Sequence, residues 1–199
     1  MAIFTSANNY VEKFERFYHS EFGKRILVKE AEYLRRELKG LKNILDVGCG
    51  VGYFEEMLAE LNITGLDISK EALKKARKIS DKNFVLGDAT HLVFPDASFD
   101  GVFSVATLEF LDNYEKAVDE IVRVLKPGGK LVTMILNPES DYFKTRVQDK
   151  NSYFAKIKHR NPKEIENYIS KSLSTRGEYF LGIKGQKIFE TCDENLAAL

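Results

Sequence analysis

Ile44-Leu45-Asp46-Val47-Gly48-Cys49-Gly50-Val51-Gly52 is the stretch on which the fold turns. With Asn43 before them, its first four residues read as a strand, Asn43–Val47. Three glycines at alternate positions then release the chain into Tyr53-Phe54-Glu55-Glu56-Met57-Leu58, whose apolar residues recur at helical spacing. Glycine has no Cβ, so such a loop can turn sharply and bring backbone against a ligand. A strand, a glycine loop and a helix at the start of an α/β pattern form the place where nucleotide-like cofactors bind.

Working outward, the same alternation continues. Upstream, Tyr10, Phe14, Phe17 and Tyr18, and then Leu27, Ala31, Leu34 and Leu38, predict two amphipathic helices. Downstream, strands are expected at Ile63–Asp67, Phe84–Leu86, Gly101–Val105 and Lys130–Leu136, with helices between them lined by Ala72, Leu73, Ala76 and Ile79 and by Ala117, Val118, Ile121, Val122 and Leu125. Ser69 is the expected N-cap of the first of these helices, and Pro127-Gly128-Gly129 ends the second. Lys130–Leu136 is almost wholly apolar and reads as a strand buried on both faces. This pattern predicts a doubly wound parallel sheet. Right-handed crossovers place the strand ends Asp46, Asp67, Asp88 and Ser104 along one edge, outside which ligands bind. Beyond Asn137 the pattern weakens. A helix is expected at Pro162–Ser170 and strands at Tyr179–Ile183 and Lys187–Thr191.

The chain of 199 residues is read as one domain: cap helices in 1–40, a cofactor core in 41–136, a substrate lid in 137–161, and a last helix and strands in 162–199. Lys and Arg together equal Asp and Glu, so overall charge favours neither nucleic acid nor a membrane surface. No apolar run approaches the roughly 20 residues needed to span a bilayer, and the N-terminus lacks the pattern of a signal peptide. Cys49 and Cys192 form no CxxC, so neither a metal cluster nor a disulfide scaffold is expected, and a cytoplasmic location is. Oligomeric state is not legible.

The acids at the strand ends suggest the ligand. Asp46 could orient the loop or meet a cationic group through water. Asp67 can accept from both hydroxyls of a ribose. Asp88 can accept from an exocyclic amine while the Ala89 N–H donates to a ring nitrogen. Together they describe an adenosine. GxGxG is not the dinucleotide spacing GxGxxG, and no GxxxxGK[ST] loop is present to cradle phosphates. An adenosine without phosphates, close to carboxylates, suggests S-adenosylmethionine.

The ordered set of motifs resembles the class I S-adenosylmethionine-dependent methyltransferases, closest to the group that includes ubiquinone- and menaquinone-biosynthesis enzymes. Ile44–Gly52 resembles their first motif and Gly65-Leu66-Asp67-Ile68-Ser69 their ribose-binding strand end. Gly87-Asp88-Ala89 with Phe94–Asp100 resembles the adenine segment, and Leu125-Lys126-Pro127-Gly128-Gly129 the turn before the fifth strand. The resemblance implies a seven-stranded, mostly parallel sheet of order 3-2-1-4-5-7-6. It implies that Gly48 and Gly50 lie against the methionine moiety, Asp67 holds the ribose and Ile68 packs on the adenine. Asp88 and Ala89 would read the adenine edge, Val105 would border the cofactor, and the Tyr10–Tyr18 aromatics would cap it. It also implies methyl transfer to a small-molecule acceptor.

Plainer readings stand beside these. The acids could be ordinary strand-end caps, Cys49 a packing residue, and His19, His91 and His159 surface or packing histidines. Glu109 could complement a helix dipole. The cations between Lys144 and Lys163 could be a solvated face or could draw in an anionic substrate. Catalytic residues are not identified. Glu109, His91, Tyr142 and His159 are the candidate bases for an acceptor that must lose a proton. A non-catalytic S-adenosylmethionine-binding regulator and a nucleic-acid or protein methyltransferase remain alternatives, as does a nicotinamide oxidoreductase, against which the glycine spacing argues. The N/D-PPY/F segment of DNA-methylating relatives is absent: that place reads Val105-Ala106-Thr107-Leu108.

Overall fold

A computed structural model describes residues 7–150, 152–185 and 187–190. Helices α1 (Ala7–His19) and α2 (Glu21–Glu37) precede β1 (Ile44–Val47) and the short helix α3 (Tyr53–Met57). There follow β2 (Ile63–Asp67), α4 (Lys70–Ile79), β3 (Asn83–Leu86), β4 (Phe99–Val105), α5 (Tyr114–Val124) and β5 (Leu125–Met134). Helices α6 (Asp141–Gln148) and α7 (Pro162–Ile169) and strands β6 (Leu181–Lys184) and β7 (Lys187–Glu190) complete the described order. The side chain of Tyr10, and Thr191 and Cys192, lie outside the described residues.

Strands β3-β2-β1-β4-β5 form one sheet in which every pairing is parallel. β1 is central, with Ile44 opposite Ile63 on one side and Gly101 on the other. Its side chains alternate between faces. Leu45 and Val47 join Val118, Ile121 and Ile165 in the core beneath α5 and α7. Ile44 joins Leu34, Leu38, Phe54, Leu58 and Phe103 beneath α2 and α3. Two-sided burial explains why this strand is short and apolar except at Asp46.

Local chemistry fixes the helix starts. The Ser20, Ser69, Asn113 and Ser140 side chains accept backbone N–H groups at the starts of α2, α4, α5 and α6. Ser69 is thus the cap its sequence suggests.

Two expectations fail. Among the described residues the main sheet has five strands, not seven: β6 and β7 pair antiparallel with each other as a separate two-stranded sheet, joined by a turn at Gly185 with φ +61°. A hairpin closed so tightly satisfies its ladder locally and is not hydrogen-bonded to β5. Nor is β5 buried on both faces. Only Leu125 and Val132 are buried along it, because it ends the sheet and its outer side borders a large cavity.

Candidate functional site

At the carboxyl ends of β1 and β4 the backbone leaves ordinary conformations. Gly48 has φ +90°, and a Cβ there would lie 2.3 Å from the Thr107 hydroxyl oxygen. Gly50, at φ +55°, faces open space, with only the Phe14 ring edge 3.9 Å from a notional Cβ. Ala106, just past β4, is held at φ +47°, its N–H donating to Met134 O (2.9 Å) and its carbonyl accepting from the Tyr153 hydroxyl (3.2 Å). A non-glycine residue in this region marks a place where the surroundings dictate the backbone.

Asp67 clasps the loop. Its Oδ2 accepts the Gly50 N–H (2.8 Å) and its Oδ1 the Ser69 N–H (2.7 Å). Each oxygen keeps a second lone pair, so the clasp still leaves capacity for hydroxyl donors. Burial pushes its carboxyl up, and the backbone N–H groups of Ser69, Gly50 and Ile68 oppose that rise. Ile68 stands 56% exposed beside it, an apolar side chain left open at the strand end. Asp88 is exposed, its Oδ1 accepting the Thr90 N–H and hydroxyl at 2.8 Å each, while Ala89 is buried. Val105 is half-buried at the end of β4. The eight residues expected to meet a cofactor thus share one edge of the sheet. Glycines that leave room, a loop clasped to Asp67 and an uncovered Ile68 fit an adenosine-bearing group.

Asp46 is buried and points to the α3 face, with its Oδ2 unpartnered. The missing neighbour in the sequence reading is Glu55, fully buried on α3 with neither carboxylate oxygen partnered. Burial raises both carboxyls, Asp46 well above its ordinary range and Glu55 to about 7, and Asp46 is raised further by the adjacent Glu55 and Asp67 charges. Two carboxyls this close cannot both ionise readily, so the pair retains a proton. The available signal was Gly65, a glycine inside a strand: a Cβ there would meet Glu55 Oε1 at 2.7 Å and Cys49 Sγ at 2.8 Å. Cys49 is a buried free thiol whose pKa burial drives upward, a packing residue and not a nucleophile.

The candidate bases are scattered. His91 contacts Thr90 through Nδ1 (2.9 Å) beside Asp88, and His159 meets Leu111 O (3.0 Å) and the Tyr114 ring. Glu109 is buried outside α5, its Oε1 accepting the Leu136 N–H (3.1 Å). It therefore ties the end of β5, where the sequence left a dipole role open. Desolvation raises it to about 7. Tyr142 lines the large cavity with its hydroxyl unpartnered. That cavity, about 1740 Å³, opens between α1, α2, the outer side of β5 and residues 137–154, and it reaches Val105 and Ala106. Of the cations from 144 to 163, Lys144 pairs with Glu139, Lys158 with Asp112 and Lys163 with Glu166, while Arg146 lies over the Tyr142 ring. Among the described residues no three His, Cys, Asp or Glu side chains are arranged to hold a metal, and no helix is long and apolar enough to cross a membrane.

Comparison with known proteins agrees with this geometry. Residues 45–133 match the family model described as a methyltransferase domain. That match covers less than half of the chain, and over it the chain is similar to methyltransferases. The chain is 38% identical over 105 residues to the 2-methyl-6-phytyl-1,4-hydroquinone methyltransferase of Synechocystis, covering 49% of this chain and 33% of that one. It is 29% identical over 170 residues to the phthiotriol/phenolphthiotriol dimycocerosates methyltransferase of Mycobacterium leprae, covering 74% and 63%. The chain thus spans between a third and two thirds of the length of these curated relatives. A crystal structure of a SAM-dependent methyltransferase, possible histamine N-methyltransferase, from Thermotoga maritima superposes with a TM-score of 0.79 over 96% of this chain and 95% of that one, at 22% identity, and shares the fold.

Proposed function

We propose that this chain transfers the methyl group of S-adenosylmethionine to a small-molecule acceptor held in the cavity beside β5. One observation carries the reading: the Gly48–Gly52 loop, clasped by Asp67 at the sheet edge, adjoins Val105 and Ala106, which also border that cavity. Methyltransferases of a hydroquinone and of a lipid among the relatives support a small acceptor with an apolar body. In this reading Asp67 receives the ribose hydroxyls, Ile68 and the Asp88–Ala89 turn the adenine, and Gly48 and Gly50 the methionine end. The Asp46–Glu55 pair supports the loop from below. The described parts of 1–40 and 137–161 wall the acceptor chamber over the 41–136 core, and the described part of 162–199 completes it.

When bound, S-adenosylmethionine supplies a methyl on a sulfonium, whose departure leaves a neutral thioether. The protein's task is therefore alignment and exclusion of water. Alignment alone can supply about 7–11 kcal/mol of a barrier. The Phe14, Tyr153 and Phe110 rings stack over the ends of β1 and β4, with Phe110 and Tyr153 centroids 4.1 Å apart and Phe14 6.1 Å from Tyr153. They form an apolar partition between loop and chamber. The paired cations of 144–163 are spoken for by carboxylates, which favours a small acceptor over a nucleic acid. A cytoplasmic location belongs to the same proposal.

Calorimetry with S-adenosylmethionine tests the cofactor half. Asp67→Ala removes the clasp and the hydroxyl acceptor together, and affinity should fall at least about tenfold. An unchanged affinity would refute the assignment. Release of S-adenosylhomocysteine across an acceptor panel tests transfer and separates an enzyme from a binding module.

A further inference from the structure

The cavity-facing side of α2 carries Ile26, Glu30 and Tyr33, spaced as successive turns of one helical stripe. Glu30 is the anomaly: a carboxylate where an apolar residue is expected. It is half-buried at the cavity wall, and its sole described partner is the Tyr18 hydroxyl, which donates across a long 3.4 Å. No cation among the described residues lies within ion-pair reach of it. Of the cations that line the cavity, Lys130, Lys163 and Arg176 are engaged with Glu37 (2.6 Å), Glu166 (2.8 Å) and Glu178 (3.1 Å) and Arg146 lies over the Tyr142 ring; Lys13, Arg16 and Arg160 line it as well. Enclosure by protein drives the Glu30 carboxyl up to about 8, opposed only by the Tyr18 hydrogen bond. A carboxylate kept for architecture is ordinarily met by several donors or a cation. Glu30 has neither, and the cofactor reading has no use for it.

Its surroundings supply the rest of a cation site. Phe14, Phe17 and Tyr18 pack edge to face, with centroids 4.7 and 5.1 Å from Tyr18, and all three line the cavity. Tyr153 lines the same chamber and acts electrostatically on the Tyr18 hydroxyl, whereas the Tyr142 ring on that wall already carries the Arg146 guanidinium and is not part of the seat. Aromatic faces attract organic cations, most strongly where water is displaced. We propose that the chamber takes an organic amine, its ammonium seated between Glu30 and these aromatic side chains and its apolar body extending toward Val105 and Ala106. The inference names the acceptor class for the methyltransferase reading above and rests on it. It concerns the binding of the cation and leaves open which atom receives the methyl.

The test is equilibrium binding, not turnover. Calorimetry would compare phenethylamine and tryptamine with the matched neutral alcohols phenethyl alcohol and tryptophol, and with the matched anions hydrocinnamate and indolepropionate. Each is titrated with and without saturating S-adenosylhomocysteine. The amines should bind about tenfold or more tighter than their alcohols, the anions weakest. In Glu30→Gln that preference should shrink to about twofold, with S-adenosylhomocysteine affinity unchanged and Tm no lower than that of the parent. Alcohols or anions that bind as well as the amines, amines that show no binding at millimolar concentration, or a preference that survives Glu30→Gln would overturn the proposal. The comparison on the unaltered protein decides it even if the variant misfolds. Failure of S-adenosylhomocysteine to bind would count against the cofactor reading instead, and the titrations without it still report on the amine.

Discussion

An alanine at Gly48 would have to hold φ at +90° and set its Cβ against the Thr107 side chain, 2.3 Å from the oxygen and 2.6 Å from the methyl. The first demand costs an L-residue roughly 1–2 kcal/mol, and the second forces Thr107 to move. Gly48→Ala should therefore lower Tm and weaken S-adenosylmethionine at least about tenfold, measured by thermal melts and calorimetry. Thr107→Ala in the same chain should restore part of the stability but not all, since φ stays strained. Full recovery would show that only the steric contact mattered. The loop glycines and Ser69 were legible because their roles are local, set by backbone conformation and by neighbours within a few positions; Asp67 was picked out by its place at a strand end, but its bond to Gly50, 17 residues away, was not. Glu55 and Glu30 were not legible. Each reads as an ordinary exposed helical acid until the fold sets it against Gly65 or among the α1 aromatics.

Between residues and molecule, α5 acts as a clamp. Arg123 donates through Nη1 to Phe94 O and Asp96 Oδ1 (both 2.8 Å) and through Nη2 to Leu92 O (2.9 Å). Its Nε and Nη2 also reach the two Glu120 oxygens, and Glu120 Oε2 in turn accepts the Leu92 N–H (2.8 Å). One guanidinium thus fixes the segment that follows Asp88 and Ala89. Lysine carries the charge but cannot span these acceptors. Arg123→Lys should cost about 1–2 kcal/mol in urea unfolding. It should also speed amide exchange over residues 88–97 and weaken S-adenosylmethionine a few-fold. Unaltered exchange there would remove the clamp from the account. Most strands of the main sheet were readable to within two residues because each is an apolar run bounded by a turn or cap. β5 misled by composition. Lys130–Leu136 is apolar not because helices cover both faces but because its outer side walls a cavity. β6 and β7 were located, but their pairing was not: Gly185 lets the hairpin close on itself, and nothing in four-residue strands specifies which sheet they join.

Across the whole molecule, several carboxyls are held neutral by burial. Glu55 and Glu109 rise to about 7, Glu30 to about 8, and Asp46 is raised beside Glu55. In the unfolded chain all of them ionise near 4–4.5. Between those values the folded protein binds more protons than the unfolded chain, so the stability they confer is complete below about pH 4 and is lost as pH climbs through 7 and 8. Glu37, Asp100 and Glu120 run the other way. Lysine and arginine partners lower them, so their contribution is present at neutrality and disappears on strong acidification. Stability without ligand should therefore peak in acid, near about pH 4.5, and fall toward alkaline pH. For Glu109 alone, the shift to about 7 corresponds to a loss on the order of 3 kcal/mol once it ionises. Urea midpoints at pH 5.5 and pH 8.5 measure the whole effect. Glu109→Gln isolates one part of it, because the amide mimics the protonated acid and keeps an acceptor for the Leu136 N–H (3.1 Å). That variant should exceed the parent at both pH values, and by more at pH 8.5. A parent protein that becomes more stable from pH 5.5 to 8.5, or a variant that gains nothing in base, would mean that water or a rearranged Leu136 segment solvates the carboxylate and that the β5 end is not the dry junction described.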